Sequence, residues 1–357
     1  MNETEPSRDA VRVSKLVLIT ALLVCLVTFG AAQVSSGEGT HAANATSSAL
    51  TWKGALEHRF LSSVGKRGFL YTIGPQGAEG YLYPFRMFHD LRVTFQVAGR
   101  EKLIEGRECG RTATVTPSSI TRHYLADGLA VRETLFVPLD EPALIITYEL
   151  DSAEPVDINL ALRPDMDLMW PAGMGGQTYS WDEAHKSFLI DEPSGRYRAR
   201  IGSPAAVWHS EPADRSHPWI TDKILSLRLH ALPHTVVPLV ATIRLPKQYD
   251  DLEIYEAAGK QYGSWMQQAD SYYRRLRGDR LQIITGDPEI DKALAWATVA
   301  LDQAEGCNLT LDVGCSRGMV QPGILDARNT PGSSPGMRWS LPGLWKRKAL
   351  TTKRCVR

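Results

Sequence analysis

The sequence predicts a mainly β protein, a large antiparallel sandwich with helices appended, and three observations carry that prediction. Between about residues 50 and 248 the apolar side chains recur with a period of two. Turn residues separate the runs, and no helical period interrupts them. After about residue 249 the period changes to three or four, which marks helices.

The strands follow in order. Leu91, Val93, Phe95 and Val97 alternate with Arg92, Thr94 and Gln96, and Val156, Ile158, Leu160 and Leu162 alternate with Asp157, Asn159 and Arg163. Each is the pattern of a strand with one buried face. Residues 130–137, 143–150, 223–232 and 235–245 supply further strands, and so many half-buried strands demand a second sheet to bury them. Leu252, Tyr255, Ala258, Tyr262, Trp265, Met266, Ala269, Tyr272, Tyr273 and Leu276 then form one side of a long helix ending near Gly278. A second helix has Asp287 to cap it and Pro288 at its first position, with Ile290, Leu294, Ala297, Leu301 and Ala304 as its apolar face and Gly306 as its stop.

The ends read differently. Arg12 and Lys15 lead into the apolar run 16–29 and then Gly30, Ala31 and Ala32, which is the basic, apolar, small order of a signal peptide. The expectation is export, secreted or periplasmic, with cleavage after Ala32 and an uncleaved anchor as the alternative, since the run is shorter than the ~20 residues that span a bilayer. Residues 33–49 have the Ser, Gly, Ala and Thr content of a flexible tether. Residues 327–357 hold eight Lys or Arg and no Asp or Glu. The expectation for 307–357 is a disordered basic tail, unable to bury enough surface to offset its ordering entropy.

Composition narrows the function. With 40 basic and 40 acidic residues in 357, no global field draws the chain to nucleic acid or to acidic membrane, and a neutral ligand suits it. Neither a metal motif nor a phosphate-binding glycine motif occurs in its proper setting, so no metal and no cofactor are expected. The pentapeptide at 314–318, GCSRG, fits the nucleophile-elbow pattern. It lacks the helix that such an elbow must enter.

The segment 168–182, LMWPAGMGGQTYSWD, is the most telling. Gly173, Gly175 and Gly176 permit a sharp, closely approached backbone. Trp170, Tyr179 and Trp181 offer flat apolar faces and Gln177 a hydrogen-bonding amide, which together suit a sugar. Core packing is the competing explanation of the tryptophans. Just upstream, Asp165 and Asp167 are two apart on a strand and so share a face, at about 6.5 to 7 Å between Cα atoms. That is near the spacing of the two carboxyl groups of a glycosidase, although turn carboxylates would look the same. Glu133 and Asp90 are expected to pair with Arg132 or Arg86.

This segment, with GYLYPFRMFHD at 80–90, VRETLFV at 131–137 and the helix at 290–306, resembles the N-terminal region of amylo-α-1,6-glucosidase-like, glycogen-debranching-type glycoside hydrolases of the six-hairpin group. The resemblance implies a galactose-mutarotase-like β-supersandwich at 50–248 and, at 249–306, the helical linker and start of an (α/α)6 toroid that holds the catalytic acids. It implies an α-glucan as partner, with Trp170, Gln177, Tyr179 and Trp181 walling the toroid's cleft. The likeness fades after residue 308, which predicts a frameshifted or truncated gene and an inactive chain. Translating the downstream DNA in the other frames is the check. A non-catalytic carbohydrate-binding module and an interaction protein using exposed helix faces are the alternative functions.

Overall fold

Two alternating strands set the architecture. In the computed structural model, which describes residues 50–57, 59–168, 176–210, 223–245, 249–279, 282–307 and 315–317, β5 (Phe85–Val97) and β11 (Val156–Leu168) lie side by side and antiparallel. Val93, Phe95, Val97, Val156, Ile158, Leu160 and Leu162 are buried in one cluster, while their polar neighbours Arg92, Thr94, Gln96, Asp157 and Asn159 keep contact with solvent. Each fully buried aliphatic or aromatic side chain contributes about 1.5–3 kcal/mol.

Sheet I is nine-stranded, in the order β1 (Trp52–Ala55), β7 (Gly110–Val115), β8 (Ser119–Ala126), β9 (Leu129–Phe136), β10 (Ala143–Leu150), β17 (Val236–Arg244), β14 (Arg198–Gly202), β13 (Ser187–Asp191) and β12 (Thr178–Asp182). Sheet II runs β15 (Ala206–Ser210), β16 (Leu225–Ala231), β11, β5, β4 (Ala78–Leu82), β3 (Gly68–Ile73) and β2 (Phe60–Gly65), with β6 (Ile104–Glu105) also paired to β5. The sheets bury their facing sides against each other, so the protein is the mainly β antiparallel sandwich that the sequence predicts. One turn of helix, α1 (Gly106–Cys109), does interrupt the strands. Four residues are too few to leave a helical period.

The long helix α2 spans Asp251–Asp279. It packs on the outer side of sheet I, where Ile254, Tyr255, Ala258 and Ala269 meet Phe136, Ala143, Ile145 and Val240. That cover explains β10: Leu144, Ile146 and Tyr148 face the sandwich interior, Ala143 and Ile145 face α2, and the strand is apolar on both sides. Helix α3 (Pro288–Gln303) starts as expected, with the Asp287 carboxylate accepting from the backbone N–H of Glu289 and Ile290.

The apolar face expected for α3 is corrected by the structure. Val299 is buried, with Ala295 and Trp296 packed beside it against Tyr273, Leu276 and Leu50. Ile290 and Leu301 stand 48% and 75% exposed. Both sides of this helix are apolar, so periodicity alone did not say which one α2 would cover. Gly306 is not the stop either. The helix is capped at Ala304, and Glu305–Cys307 forms β18, paired with β19 (Cys315–Arg317). Residues read as a disordered tail thus include a strand pair, and Cys307 is disulfide-bonded, a constraint invisible to a composition argument. Ser316 of the elbow-like pentapeptide sits within β19. Residues 1–49 and 318–357, on which the signal, tether and remaining tail expectations fall, lie outside the described residues.

Candidate functional site

The register of sheet II builds one row across its outer side. Val64 of β2 opposes Phe69, Phe69 opposes Tyr81, Tyr81 opposes Arg86, and Arg86 opposes Asp167 of β11. The row passes from apolar to aromatic to cationic to anionic. Phe69 and Tyr81 stack with centroids 4.5 Å apart, and the Tyr81 hydroxyl donates to Glu79 Oε2 at 3.0 Å. Burial, with the Glu79 charge next, pushes the Tyr81 phenol well above its usual range.

A bulge delivers the carboxylates. The pairing of β11 with β5 shifts between Pro164 and Asp167, and Met166 has φ +63° with its side chain fully buried in the core. Asp165 and Asp167 are left together on the opposite side, as their spacing predicts. Asp165 is held by Arg86, whose Nε lies 2.7 Å from Oδ2 and whose Nη2 donates to Oδ1 at 3.1 Å. His89 Nδ1 is also 2.5 Å from Oδ2. Among the described residues, Asp167 has no such clamp. Burial and then the Asp165 charge raise its pKa, against Arg86, Gln177 and His89.

Gln177 is buried and donates through Nε2 to Asp167 Oδ1 at 3.3 Å and to the Met166 carbonyl at 3.4 Å. Gly176 before it has φ +82°, and a Cβ there would meet Pro193 Cγ at 2.9 Å. The glycine is therefore required by both conformation and close approach, although the group approached is the protein's own proline.

Tyr179 and Trp181 make different contacts. They oppose Ile190 and Phe188 on β13 and pack on the margin of the core. The Tyr179 ring has Lys223 Nζ 5.1 Å from its centroid. Trp181 stacks on His209 at 3.9 Å and 12°, meets Phe188 edge-on at 4.8 Å, and donates through Nε1 to Glu183 Oε2 at 2.6 Å. One face of this indole is thus already occupied where β12 and β15, the edges of the two sheets, come together. Trp170 lies outside the described residues. The structure brings together Asp165, Asp167 and Gln177 of the predicted set, and adds Arg86 and His89, which lie within the 80–90 motif but show no pairing in sequence.

The expected pairings of Glu133 and Asp90 are corrected. Glu133 pairs with Arg122, and Asp90 pairs with Arg92 and lies 3.7 Å from Arg163 Nε. The Asp127-Gly128 turn sets the first of these: with Ala126 opposite Leu129, the register places Arg122 opposite Glu133, and Gly128 supplies φ +71°. That two-residue turn was the available signal. Among the described residues no group of three or more His, Cys, Asp or Glu is placed to hold a metal.

The Asp167 environment has a measurable consequence. Its folded pKa lies above the unfolded value of about 3.9, so both states are protonated at lower pH, and stability falls as pH rises through the folded pKa. Asp167→Asn keeps the neutral form throughout and preserves an acceptor for Gln177. Its melting temperature should exceed that of wild type at pH 7, with the gain vanishing near pH 3.5. Equal melting at pH 7 would mean that the charge is fully compensated.

No protein-family model matches the chain, and no curated protein does. Among solved structures, a bacterial glucoamylase complexed with acarbose matches at TM-score 0.50 and 9% identity, over 72% of this chain and 42% of its own. A human-microbiome protein named as a kojibiose phosphorylase matches at TM-score 0.43 and 9% identity, over 72% of this chain and 35% of its own. A polysaccharide lyase matches at 0.31 and 10%, over 54% and 33%. At such identities the likeness is one of fold: this chain is similar in architecture to part of the glucoamylase and spans less than half of that protein's length.

Proposed function

We propose that this chain is the β-sandwich portion of an exported glycoside hydrolase acting on α-glucans, of the glycogen-debranching or α-glucosidase kind. One observation carries the reading: two carboxylates in unlike environments, Asp165 clamped and Asp167 raised, sit beside a buried amide on a sandwich of glucoamylase-like architecture. Hydrolysis needs one group to protonate the leaving oxygen and another to activate water or attack. Asp165 suits neither role, since Arg86 and His89 occupy its oxygens. Asp167 and Gln177 suit hydrogen bonding to sugar hydroxyls. The hydrolytic acids are assigned to a helical half that α2 and α3 begin, and the chain by itself is proposed to be inactive.

Two measurements test this. Incubation with α-1,4- and α-1,6-linked glucans should release no glucose above background; release that Asp167→Asn abolishes would make the sandwich pair itself catalytic. Titration with maltoheptaose should give an isotherm weakened by Gln177→Ala. An isotherm indifferent to that substitution removes the site.

A further inference from the structure

The other half of sheet II's outer side differs in kind. The register aligns Trp208 of β15 with Arg228 of β16, Arg228 with Asn159 of β11, and Asn159 with Thr94 of β5. Alternation puts Arg228, Asn159 and Thr94 on the outer side, because their strand neighbours Leu227, Leu229, Ile158, Leu160, Val93 and Phe95 are in the core, and Trp208 joins them through its register with Arg228. Where the row through Phe69 and Tyr81 is buried, this one is open. Trp208 is 47% exposed, and Arg228, Asn159 and Thr94 are each partly exposed.

The tryptophan is aimed and braced. A register shift between Ala206 and Trp208 turns Trp208 outward, while the next residue, His209, stacks on Trp181. The Arg228 guanidinium carbon lies 5.4 Å from the Trp208 ring centroid, and Arg228 Nε donates to Asn159 Oδ1 at 3.0 Å. The neighbouring rung carries His230, with Nδ1 2.8 Å from Asp157 Oδ1, and Gln96 opposite Asp157. Those three residues line a shallow pocket of about 210 Å³ with Arg100 and Pro155. The surface therefore runs from an indole, across the Arg228 guanidinium and its amide partner Asn159, to a small polar depression. At ~4.8 Å per strand the row from Trp208 to Thr94 spans about 14 Å, the length of a short oligosaccharide.

We propose that this open row is a second, non-catalytic site for a neutral polysaccharide chain, with Trp208 stacking on a sugar ring and Arg228, Asn159 and Thr94 meeting its hydroxyls. The ring's apolar C–H face suits the indole, and its hydroxyl edge suits the polar row. Arg228 is the single charge of the row and donates to a neutral amide, so a polyanion is the alternative that the test must exclude. The choice of carbohydrate rests on the reading of the preceding section, but the residues are separate. Two such sites on one chain would hold a polymer by avidity rather than by new contacts.

The test is native electrophoresis of the full chain through gels containing amylopectin, a mixed-linkage β-glucan or polygalacturonate. Retardation is expected in a neutral gel, and Trp208→Ala should weaken it about tenfold with unchanged circular dichroism, since the ring lies outside the core. Gln177→Ala should leave the retardation of this site in place. The proposal is overturned if Trp208→Ala migrates as wild type does, if no neutral gel retards the protein, or if only polygalacturonate does. Loss on Gln177→Ala with Trp208→Ala unaffected would sink this site and leave the first one standing.

Discussion

Glu133→Ala should cost about 3–5 kcal/mol, because it strands a cation in the interior. The side chains of Arg122 and Glu133 are 2% and 1% exposed and are in direct contact. The Glu133 carboxylate also accepts from the Tyr124 hydroxyl at 2.9 Å. Arg122 Nη1 donates to Thr72 Oγ1 at 2.9 Å and to the Gln76 carbonyl at 2.8 Å, tying β8 and β9 of sheet I to the β3–β4 turn of sheet II. Burial works against the Arg122 charge, and Glu133 and Tyr124 outweigh it, so its pKa rises. Without Glu133 the desolvation cost remains and its main compensation goes. The melting temperature should fall on the order of 10 °C. Replacing both partners, with Arg122→Met beside Glu133→Leu, should recover much of the loss. A single-variant loss under about 1 kcal/mol would refute the argument.

Arg200→Ala should be comparably severe, at about 3–5 kcal/mol, and its cost should depend on pH. The Arg200 side chain, 5% exposed, donates from Nε to Asp251 Oδ2 at 2.8 Å. From Nη1 it donates to Asp182 Oδ2 at 2.8 Å and to Ser187 Oγ at 2.7 Å. It thereby fastens the edge of sheet I to the first turn of α2. Partial burial raises the Asp182 pKa, but hydrogen bonds from Arg200 and from the His185 side chain and backbone outweigh it and hold the carboxyl at about 2. A depressed carboxylate contributes stability above its unfolded pKa of about 3.9, lost as pH falls through the folded value. Wild type should therefore weaken between about pH 4 and pH 2. In the variant, acid neutralises an Asp182 carboxylate that has lost its Arg200 partner, so the difference from wild type in urea denaturation should be smaller at pH 3 than at pH 7. An equal difference at both would show that the loss is packing rather than charge.

The sandwich was legible because its strands carry their own instructions. β5 and β11 alternate so regularly that their buried sides can be read directly, and Asp287 with Pro288 announces the start of α3. What stayed hidden depends on which segments meet. Arg122 and Glu133 are partners only through hairpin register, and Arg86 reaches Asp165 only because β11 bulges at Met166. The aromatic reading shows the same division. Trp181 belongs to a conspicuous glycine-rich segment yet spends one face on His209. Trp208, in a five-residue edge strand with no pattern of its own, has Arg228 over its ring and is still 47% exposed.

The way α3 is attached gives this chain two different resistances to opening. Helix α2 is packed on sheet I through Ile254, Tyr255, Ala258 and Ala269, whereas α3 rests on α2 and Leu50 through Val299 and the flanking Ala295 and Trp296, with Gln303 donating to the Pro117 carbonyl at 2.8 Å. Its far side, with Ile290 and Leu301, meets water, as do Ile283 and Ile284 just before it. Its amide protons will exchange through a local detachment that leaves the β framework intact. An excursion of this kind bares a greasy hinge without unfolding the protein, so among the described residues proteolysis in solution will reach residues 282–304 before the strands of the two sheets.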